Sequence, residues 1–233
     1  MNHTNQIILV TGATGNQGGV VAKSLIEQNK FKIRAMVRDK TSDKAKALEA
    51  SGAELAEGDF DDAASLEKAL QNVYGVFSMQ DFRNGTDKEI AHGKAIADAA
   101  KETGVNHFVY SSVGGAERNT GIPHFESKYK VEEYIREIGL PYTILRPVFF
   151  MYNYNGMRQM IENGTLYMPL SSDKNLQQLS EDDYGKMVAD VFDDKNKYSG
   201  KEIEVASVDI TMEEVVKSFS NILNKNVSYQ QIP

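Results

Sequence analysis

The chain has 233 residues and a formal net charge of −7, enough length for one domain or one domain with a small appended lobe. Its acidic balance gives no indication of nucleic-acid binding. The absence of cysteine excludes disulfides and thiolate chemistry, and the four histidines have no metal-ligand spacing, so no metal site is expected. No apolar run approaches the roughly 20 residues of a membrane span, and the first predicted strand begins close to Met1. We therefore expect a cytoplasmic protein that has no targeting segment and no membrane partner.

The most specific pattern is a glycine-rich loop between a predicted strand and a predicted helix. The run Ile7–Val10 is short, apolar and β-branched, as in a strand covered on both faces of a parallel sheet, and the helix after the loop ends near Gln28. In such a loop the first glycine permits a tight turn, the second admits a pyrophosphate, and the third lets the helix pack closely. We predict dinucleotide binding here; the alternative is a glycine-rich turn that binds nothing. The predicted binding residues are Gly12, Thr14, Gly15, Asn16, Gln17 and Gly18.

Strands and helices alternate through the first two thirds of the chain. Five more strands are predicted at residues 32–37, 53–56, 76–79, 107–111 and 142–146. Helices are predicted at 43–50 with Asp43 as N-cap, after an N-cap at Asp61 or Asp62, and at about 88–102. Strands separated by helices imply right-handed crossovers. The predicted fold is therefore α/β, with a doubly wound parallel sheet covered by helices on both faces.

Residues at the ends of the second and third strands bear on the nucleotide. A carboxylate after the second strand prefers the free ribose of NAD, whereas an arginine accommodates the 2′-phosphate of NADP. Arg38 comes first here, so NADP is favoured, and NAD stays possible if Asp39 takes the reading position. After the third strand, Asp59 could accept a hydrogen bond from the adenine amino group, with Phe60 flanking the ring. A turn aspartate and a core phenylalanine are the alternative.

A later stretch, residues 123–138, reads as an amphipathic helix. His124, Lys128 and Val131 share one face of that helix, which is apolar from Val131 onward. Lys128 therefore extends a buried stripe, and a lysine there needs a polar partner. The simplest partner is the hydroxyl pair of a cofactor ribose; the alternative is a lysine that reaches out to solvent.

The alternation weakens beyond about residue 149. The pattern predicts a helix with an irregular loop at 156–169, a helix at 182–192, a strand at 202–205 and an edge strand at 227–229. Thr211 and Glu214 form a capping box that opens a further helix. We expect residues 1–150 to form a dinucleotide-binding domain, and residues 151–233 to form a small dependent α/β lobe packed on the cofactor crevice.

Several motifs resemble the short-chain dehydrogenase/reductase superfamily: the three glycines, the strand end Val109-Tyr110-Ser111-Ser112 and the segment 145–150. The glycine loop together with His124-Phe125-x-x-Lys128 is more narrowly similar to its NmrA-like atypical branch, over essentially the whole chain. The resemblance implies a Rossmann fold in which the loop and Arg38 hold the nucleotide and Lys128 reaches the nicotinamide ribose. It also implies that the segment from Pro147 to Phe149 lies near the nicotinamide.

The chain departs from that superfamily at the catalytic position. Ordinary members use Tyr-x-x-x-Lys, in which the tyrosine exchanges the substrate proton, but no tyrosine here is followed four residues later by lysine. His124 fills the slot, and histidine can act as an acid near neutral pH. The predicted catalytic residues are therefore His124, Lys128 and Ser112, unless Ser112 lies one residue early and Val113 holds the serine position.

Two functions from different classes fit these features. The first is an NADPH-dependent oxidoreductase acting on a small quinone or carbonyl compound that lies between His124, Ser112 and an aromatic wall at 149–151. The second is a non-catalytic NADP(H) redox sensor that acts through a regulatory protein partner; a scaffolding remnant is a third. The reductase is favoured because most nicotinamide sites in this architecture serve chemistry. The sequence leaves the substrate and the oligomeric state open.

Overall fold

The computed structural model describes residues 3–233. Its strands are β1 (Ile7–Val10), β2 (Lys32–Val37), β3 (Glu54–Glu57), β4 (Val73–Ser78), β5 (His107–Ser111), β6 (Tyr142–Pro147), β7 (Phe149–Phe150), β8 (Thr165–Met168), β9 (Asn175–Leu179), β10 (Glu202–Val205), β11 (Val208–Thr211) and β12 (Ser228–Gln231). Its α-helices are α1 (Asn16–Gln28), α2 (Asp43–Ala50), α3 (Ala63–Ala69), α4 (Thr86–Glu102), α5 (Pro123–Glu137), α6 (Arg158–Glu162), α7 (Glu181–Asp193), α8 (Lys195–Tyr198) and α9 (Met212–Leu223). None of the helices in this described part of the chain is long and apolar enough to cross a membrane.

The main sheet has seven strands in the order β3-β2-β1-β4-β5-β6-β10. Every neighbouring pair in it is parallel. The strand order reverses between β1 and β4, and doubly wound sheets bind ligands at such a reversal, outside the carboxyl ends of the strands. The predicted fold class is confirmed.

One face of this sheet is covered by α3, α4 and α5, whose apolar side chains form a continuous core with the strands. The approach of α4 to α5 depends on a glycine: a Cβ at Gly93 would lie 2.6 Å from a methyl carbon of Val131. Because no side chain intervenes there, residues one helical turn earlier on both helices are brought together, among them Glu89 and Lys128.

The chain divides into two compact units. The first contains the residues up to Pro147 together with Asp182–Val205, and the second contains Val148–Glu181 together with Ala206–Pro233. The expected single boundary near residue 150 therefore matches only the first point at which the chain passes from one unit to the other; it also does so near residues 181 and 205. The chain returns because β10 pairs with β6 and because the ring of Phe192 fills the space left open by Gly75.

The second unit holds two small sheets and a capped helix. Strand β9 pairs antiparallel with β11 and parallel with β7, while β8 pairs parallel with β12. The predicted capping box is present: the Glu214 amide donates to Thr211 Oγ1 at 3.2 Å, and the Thr211 amide donates to Glu214 Oε2 at 2.8 Å. It starts α9, whose inner residues Met212, Val215 and Val216 are buried.

Most predicted elements are present, with shifted ends. Strand β4 starts at Val73, three residues before the predicted start, and α5 begins at Pro123 as expected. The prediction that Asp43 caps α2 is wrong: Ser42 is the N-cap, since its hydroxyl accepts from the Ala45 amide. Of the two candidates for α3, Asp62 is the cap.

Candidate dinucleotide and substrate site

The glycine loop has the backbone geometry that its three glycines suggested. Gly12 has a φ of 61°, a left-handed turn that takes the chain directly out of β1. A Cβ at Gly18 would lie 2.4 Å from the carbonyl oxygen of Gly12, so only glycine lets α1 start this close to the loop. A Cβ at Gly15 would meet only that same oxygen, at 3.2 Å, and Gly15 is exposed. The backbone is therefore tightly packed at Gly18, whereas Gly15 is accessible from solvent.

The N-terminus of α1 has no side-chain cap. Gly15 occupies the N-cap position, and no side chain among residues 3–233 bonds to the first turn of the helix. Asn16 is exposed and Thr14 is half-buried, whereas the amide oxygen of Gln17 accepts a hydrogen bond from the Ser111 hydroxyl at 3.1 Å. Gln17 thus ties the loop to the end of β5, and the first-turn N–H groups remain available to an anion.

The ends of β1 and β4 are joined beside this loop. The Thr11 hydroxyl accepts from the Met79 amide at 2.9 Å and donates to the Met79 carbonyl at 3.2 Å. Thr11 is fully buried. This pairing fixes the two strands that border the sheet's reversal.

Arg38 and Asp39 follow β2 and differ in their contacts. Asp39 Oδ1 accepts from the Thr41 amide at 2.7 Å and from the Thr41 hydroxyl at 2.6 Å. These hydrogen bonds lower the pKa of Asp39 below its ordinary value. The exposed Arg38 side chain makes no hydrogen bond or ion pair with any residue from 3 to 233. The carboxylate is therefore committed to its own loop, and the guanidinium is free.

The residues after β3 lie at the carboxyl ends of the strands, as Arg38 and Asp39 do. Asp59 is exposed and its Oδ1 accepts from the Asp61 amide at 3.0 Å, as in a turn. Phe60 packs partly against the core and stacks on His92, with ring centroids 5.1 Å apart. His92 Nε2 lies 2.9 Å from Asp61 Oδ1. The turn aspartate and the packed phenylalanine of the second alternative are present. Adenine binding by the exposed carboxylate and the half-buried ring stays a prediction.

Lys128 lies within a buried polar cluster. Its Nζ is 2.9 Å from Glu89 Oε1 and 3.5 Å from the carbonyl oxygen of Gln80. The Glu89 side chain is fully buried, and its second oxygen accepts from the Ser127 hydroxyl. The expectation that a lysine on this stripe has a polar partner holds, but the partner is a carboxylate that sequence analysis had not singled out.

Two further groups of this cluster lack partners. The Tyr110 hydroxyl and Gln80 Oε1 are buried and form no hydrogen bond within residues 3–233. Burial raises the pKa of Tyr110 well above 10, so it is neutral, and Lys128 Nζ lies 5.9 Å from the centre of its ring. Buried polar groups without partners are uncommon and are typical of functional sites or hydrated cavities.

His124 lies one turn before Lys128 and is half-buried between two rings. It stacks on Phe82 with centroids 4.7 Å apart and planes inclined by 23°, and it meets Phe125 edge-on at 4.7 Å. Burial lowers its pKa below 6.5, the nearby charge of Lys128 acts in the same direction, and Glu89 opposes them. The imidazole is therefore neutral at pH 7.

Ser112 points into a different network. Its hydroxyl donates to Glu132 Oε1 at 2.5 Å, and the same buried carboxylate accepts from Arg146 Nε at 3.0 Å and Nη2 at 2.6 Å. The hydrogen bonds that Arg146 donates to Glu132 raise the pKa of Arg146 well above its ordinary range, and burial, a smaller effect, opposes them. Ser112 thus links the end of β5 to α5 and β6, and its proton is committed to Glu132.

The two residues expected near the nicotinamide fall in different units. Pro147 ends β6 in the first unit, and its carbonyl oxygen accepts from the Gly114 amide at 2.9 Å. Phe149 belongs to the second unit, where β7 pairs with β9 and its ring lies 5.2 Å from that of Tyr154.

The first unit fits a dinucleotide by three independent features. An uncapped helix N-terminus follows the open Gly15 position, and both suit a pyrophosphate. A free guanidinium at Arg38 suits a further phosphate. A partly buried ammonium at Lys128 lies at the carboxyl end of the sheet and suits ribose hydroxyls. Together with the strand order, these features define a Rossmann-type dinucleotide-binding protein.

Comparison with known proteins identifies the family. Residues 4–233 match the NmrA-like family. An NmrA-like family domain-containing oxidoreductase of Malbranchea aurantiaca is 30% identical over 263 aligned positions, which cover all of this chain and 77% of that protein. The chain belongs to the NmrA-like family of NAD(P)-binding Rossmann-type proteins.

Two solved structures with similar folds have different functions. NmrA, a negative transcriptional regulator in complex with NADP, superimposes with a TM-score of 0.87 at 26% identity, over 99% of this chain and 75% of that one. An NADPH-dependent quinone oxidoreductase of Escherichia coli, complexed with NADPH, gives a TM-score of 0.84 at 26% identity, over 97% and 78% of the two chains. The family resemblance and the fold expected from it are confirmed, and similar chains include both an enzyme and a regulator.

Four residues of the site escaped sequence analysis: Phe82, Glu89, Gln80 and Glu132. Glu89 is surrounded in sequence by charged residues and looks like part of a solvated helix face. Its burial depends on Gly93, a lone glycine within α4, which is the one local signal of a close helix contact.

Proposed function

We propose that the protein is an NADPH-dependent oxidoreductase that reduces a small quinone or a related conjugated carbonyl compound. The observation that carries this proposal is the ammonium of Lys128, held 2.9 Å from the fully buried Glu89 at the carboxyl end of the sheet. A charged pair kept out of solvent is costly unless it is well satisfied. Its position against the Gln80 carbonyl oxygen, just after β4 at the reversal of the sheet, supports a role in the reaction.

The preference for NADPH follows from the loop after β2. The free Arg38 would bind the 2′-phosphate, and Asp39 is engaged by Thr41 and so is not available to a ribose hydroxyl. The open position at Gly15 and the first turn of α1 would hold the pyrophosphate. Lys128 would donate to the ribose next to the nicotinamide. Bound NADPH supplies the hydride.

A quinone suits the groups that this chain offers to a substrate. It needs only a hydride and then a proton from water to become a hydroquinone, so a dedicated tyrosine acid is not required. The ammonium of Lys128 would stabilise negative charge that develops on the quinone oxygen. The similarity to a quinone oxidoreductase and to an NmrA-like oxidoreductase supports the same reaction class.

A second function, an NADP(H) sensor that acts through a protein partner, is favoured by specific observations. The chain lacks the tyrosine of Tyr-x-x-x-Lys, the proton of Ser112 is committed to Glu132, and His124 is neutral between two rings. One similar structure is a transcriptional regulator in complex with NADP. In this case the dinucleotide loop would work as above, and no acceptor would be reduced.

The deciding experiment measures NADPH oxidation at 340 nm with 1,4-naphthoquinone, 1,4-benzoquinone and a small aldehyde, with NADH in parallel. Quinone-dependent turnover that prefers NADPH and falls in Lys128→Met supports the reductase. Tight NADPH binding without reduction of any acceptor would reject it in favour of the sensor. Lys128→Met should weaken NADPH binding in both cases, so the binding measurement checks that the variant reports on the same site.

A further inference from the structure

An aromatic pair with one exposed ring lies at the rim of this site. Phe82 stands in a 3-10 turn, Phe82–Asn84, shortly after β4, and it is 46% exposed although it is a large apolar side chain. It stacks nearly parallel on His124, with centroids 4.7 Å apart. Because His124 covers one face of Phe82, the exposed part of this ring is available for stacking with a partner.

The turn that carries Phe82 is fixed by its neighbours. Asp81 caps it, since Asp81 Oδ1 accepts from the Arg83 amide at 3.0 Å and from Arg83 Nε at 2.9 Å. On the other side, Phe125 braces the imidazole edge-on. The pair is thus held between a capped turn and the first turn of α5, so its geometry does not depend on a ligand.

The pair also lies close to the ammonium. His124 is one helical turn before Lys128 on α5, and Phe82 is two residues after Gln80, whose carbonyl oxygen lies 3.5 Å from Lys128 Nζ. An apolar ring surface and a positive charge therefore lie side by side. This combination matches a ligand with a flat ring and an electron-rich oxygen at its edge.

We propose that the pair formed by Phe82 and His124 is a stacking platform for the fused ring of a planar acceptor, with the acceptor's carbonyl directed towards Lys128. The inference rests on the proposed reductase and deepens it, because it names fused-ring quinones as the preferred class. It also changes the role of His124 from the one its position suggested. His124 supports the exposed ring of Phe82 from the covered side and gives no proton to the reaction.

The test compares ring removal with ring replacement in the full chain. The variants are Phe82→Ala, His124→Ala and His124→Phe, with Ile222→Ala as a control because Ile222 is a 78% exposed apolar side chain of the second unit. For each, steady-state NADPH oxidation gives KM and kcat for 1,4-naphthoquinone and 1,4-benzoquinone. Calorimetry with the NADP⁺-loaded protein gives the Kd of 1,4-naphthoquinone without turnover.

The platform predicts a change in binding rather than in rate. Phe82→Ala and His124→Ala should raise KM and Kd for 1,4-naphthoquinone roughly three- to tenfold, with a smaller effect for the smaller 1,4-benzoquinone. His124→Phe should recover the affinity lost in His124→Ala, and Ile222→Ala should match the parent protein. These results would support the platform.

Three other outcomes would overturn it. Unchanged Kd and KM in both alanine variants would remove the platform while leaving the reductase intact. Loss of kcat in His124→Phe with unchanged Kd would assign His124 the role of proton donor. If none of the acceptors supports NADPH oxidation by the parent protein, and its NADP⁺-loaded form binds no 1,4-naphthoquinone, the reductase and the platform fail together.

Discussion

The ammonium of Lys128 lies 2.9 Å from Glu89 Oε1, although the two residues belong to different helices and Glu89 is fully buried. A buried carboxylate is tolerated only when charge and hydrogen bonds compensate it. Ser127 supplies the hydrogen bond and Lys128 the charge. The ion pair with Glu89 explains why α5 carries a lysine on an otherwise apolar stripe. It also holds the Lys128 ammonium close to the Gln80 carbonyl oxygen.

Removal of the lysine alone should destabilise the protein more than removal of both charges. Lys128→Met leaves Glu89 buried and unpaired, so we expect a loss of about 3 kcal/mol in the free energy of unfolding. Glu89→Gln with Lys128→Met should lose only about 1 kcal/mol, because the glutamine oxygen still accepts from Ser127. Urea unfolding of the four proteins of this double-mutant cycle measures the coupling.

The control for this cycle is an exposed pair of the same residue types. Lys23 and Glu27 lie 3.9 Å apart on α1, with 63% and 65% of their side chains exposed. Lys23→Met should change stability by at most about 0.5 kcal/mol. If Lys128→Met cost no more than Lys23→Met, the two charges would not depend on each other.

The second prediction separates two glycines of the same loop. Gly18→Ala places a methyl group 2.4 Å from the Gly12 carbonyl oxygen and should destabilise the fold by about 3 kcal/mol. Gly15→Ala has extended backbone angles and makes a single tight contact, 3.2 Å from the Gly12 carbonyl oxygen, so its stability should stay within about 1 kcal/mol. Its methyl group would occupy the approach of the pyrophosphate and weaken NADPH binding roughly tenfold or more. Thermal unfolding and NADPH titration distinguish the two effects; a stable Gly18→Ala would contradict the packing role.

The third prediction concerns the choice of cofactor. Arg38→Gln should weaken NADPH binding roughly ten- to a hundredfold, because it removes a charge-assisted hydrogen bond to the 2′-phosphate. NADH lacks this phosphate, so its binding should be unchanged. The NADPH affinity of the parent protein should fall as salt rises, because the contact is exposed. Fluorescence titration with both cofactors tests this. An equal loss for NADH and NADPH would show that Arg38 does not read the 2′-phosphate.

The fold was predictable from sequence because its signals are local. The apolar run of β1, the three glycines and the alternation of strands with helices each depend on neighbouring residues, and all three give the observed sheet. Strands β7, β8, β9 and β11 were missed because they depend on pairing between distant segments rather than on a local signal. The segment Asn175–Leu179 is mostly polar, and it becomes a strand only through its pairing with β7 and β11.

The site was only partly predictable, because its contacts join distant parts of the chain. Arg38 and Lys128 could be named from their positions at the end of a strand and on a helix face. The partners of three predicted residues could not be named: Lys128 pairs with Glu89 on another helix, His124 stacks on Phe82 in a short turn, and Ser112 donates to Glu132. Each of these pairings depends on how helices and turns pack, and no periodicity reports that packing.

The last prediction concerns the dependence of stability on pH. His107 is fully buried in β5, and burial, with a smaller contribution from the charge of Lys195, lowers its pKa from 6.5 to about 4. The unfolded chain therefore binds a proton that the folded chain refuses between these values, and stability falls as pH drops from 6.5 towards 4, by about 3 kcal/mol in total. The Thr143 hydroxyl donates to the Tyr198 carbonyl and so accepts from His107 Nε2, 2.8 Å away. His107→Gln can keep this hydrogen bond and should remove the His107 contribution to the pH slope, whereas Thr143→Val should keep the slope because the histidine stays buried. Urea unfolding at pH 4.5, 5.5, 6.5 and 7.5 measures all three proteins; an unchanged slope in His107→Gln would show that another group is responsible.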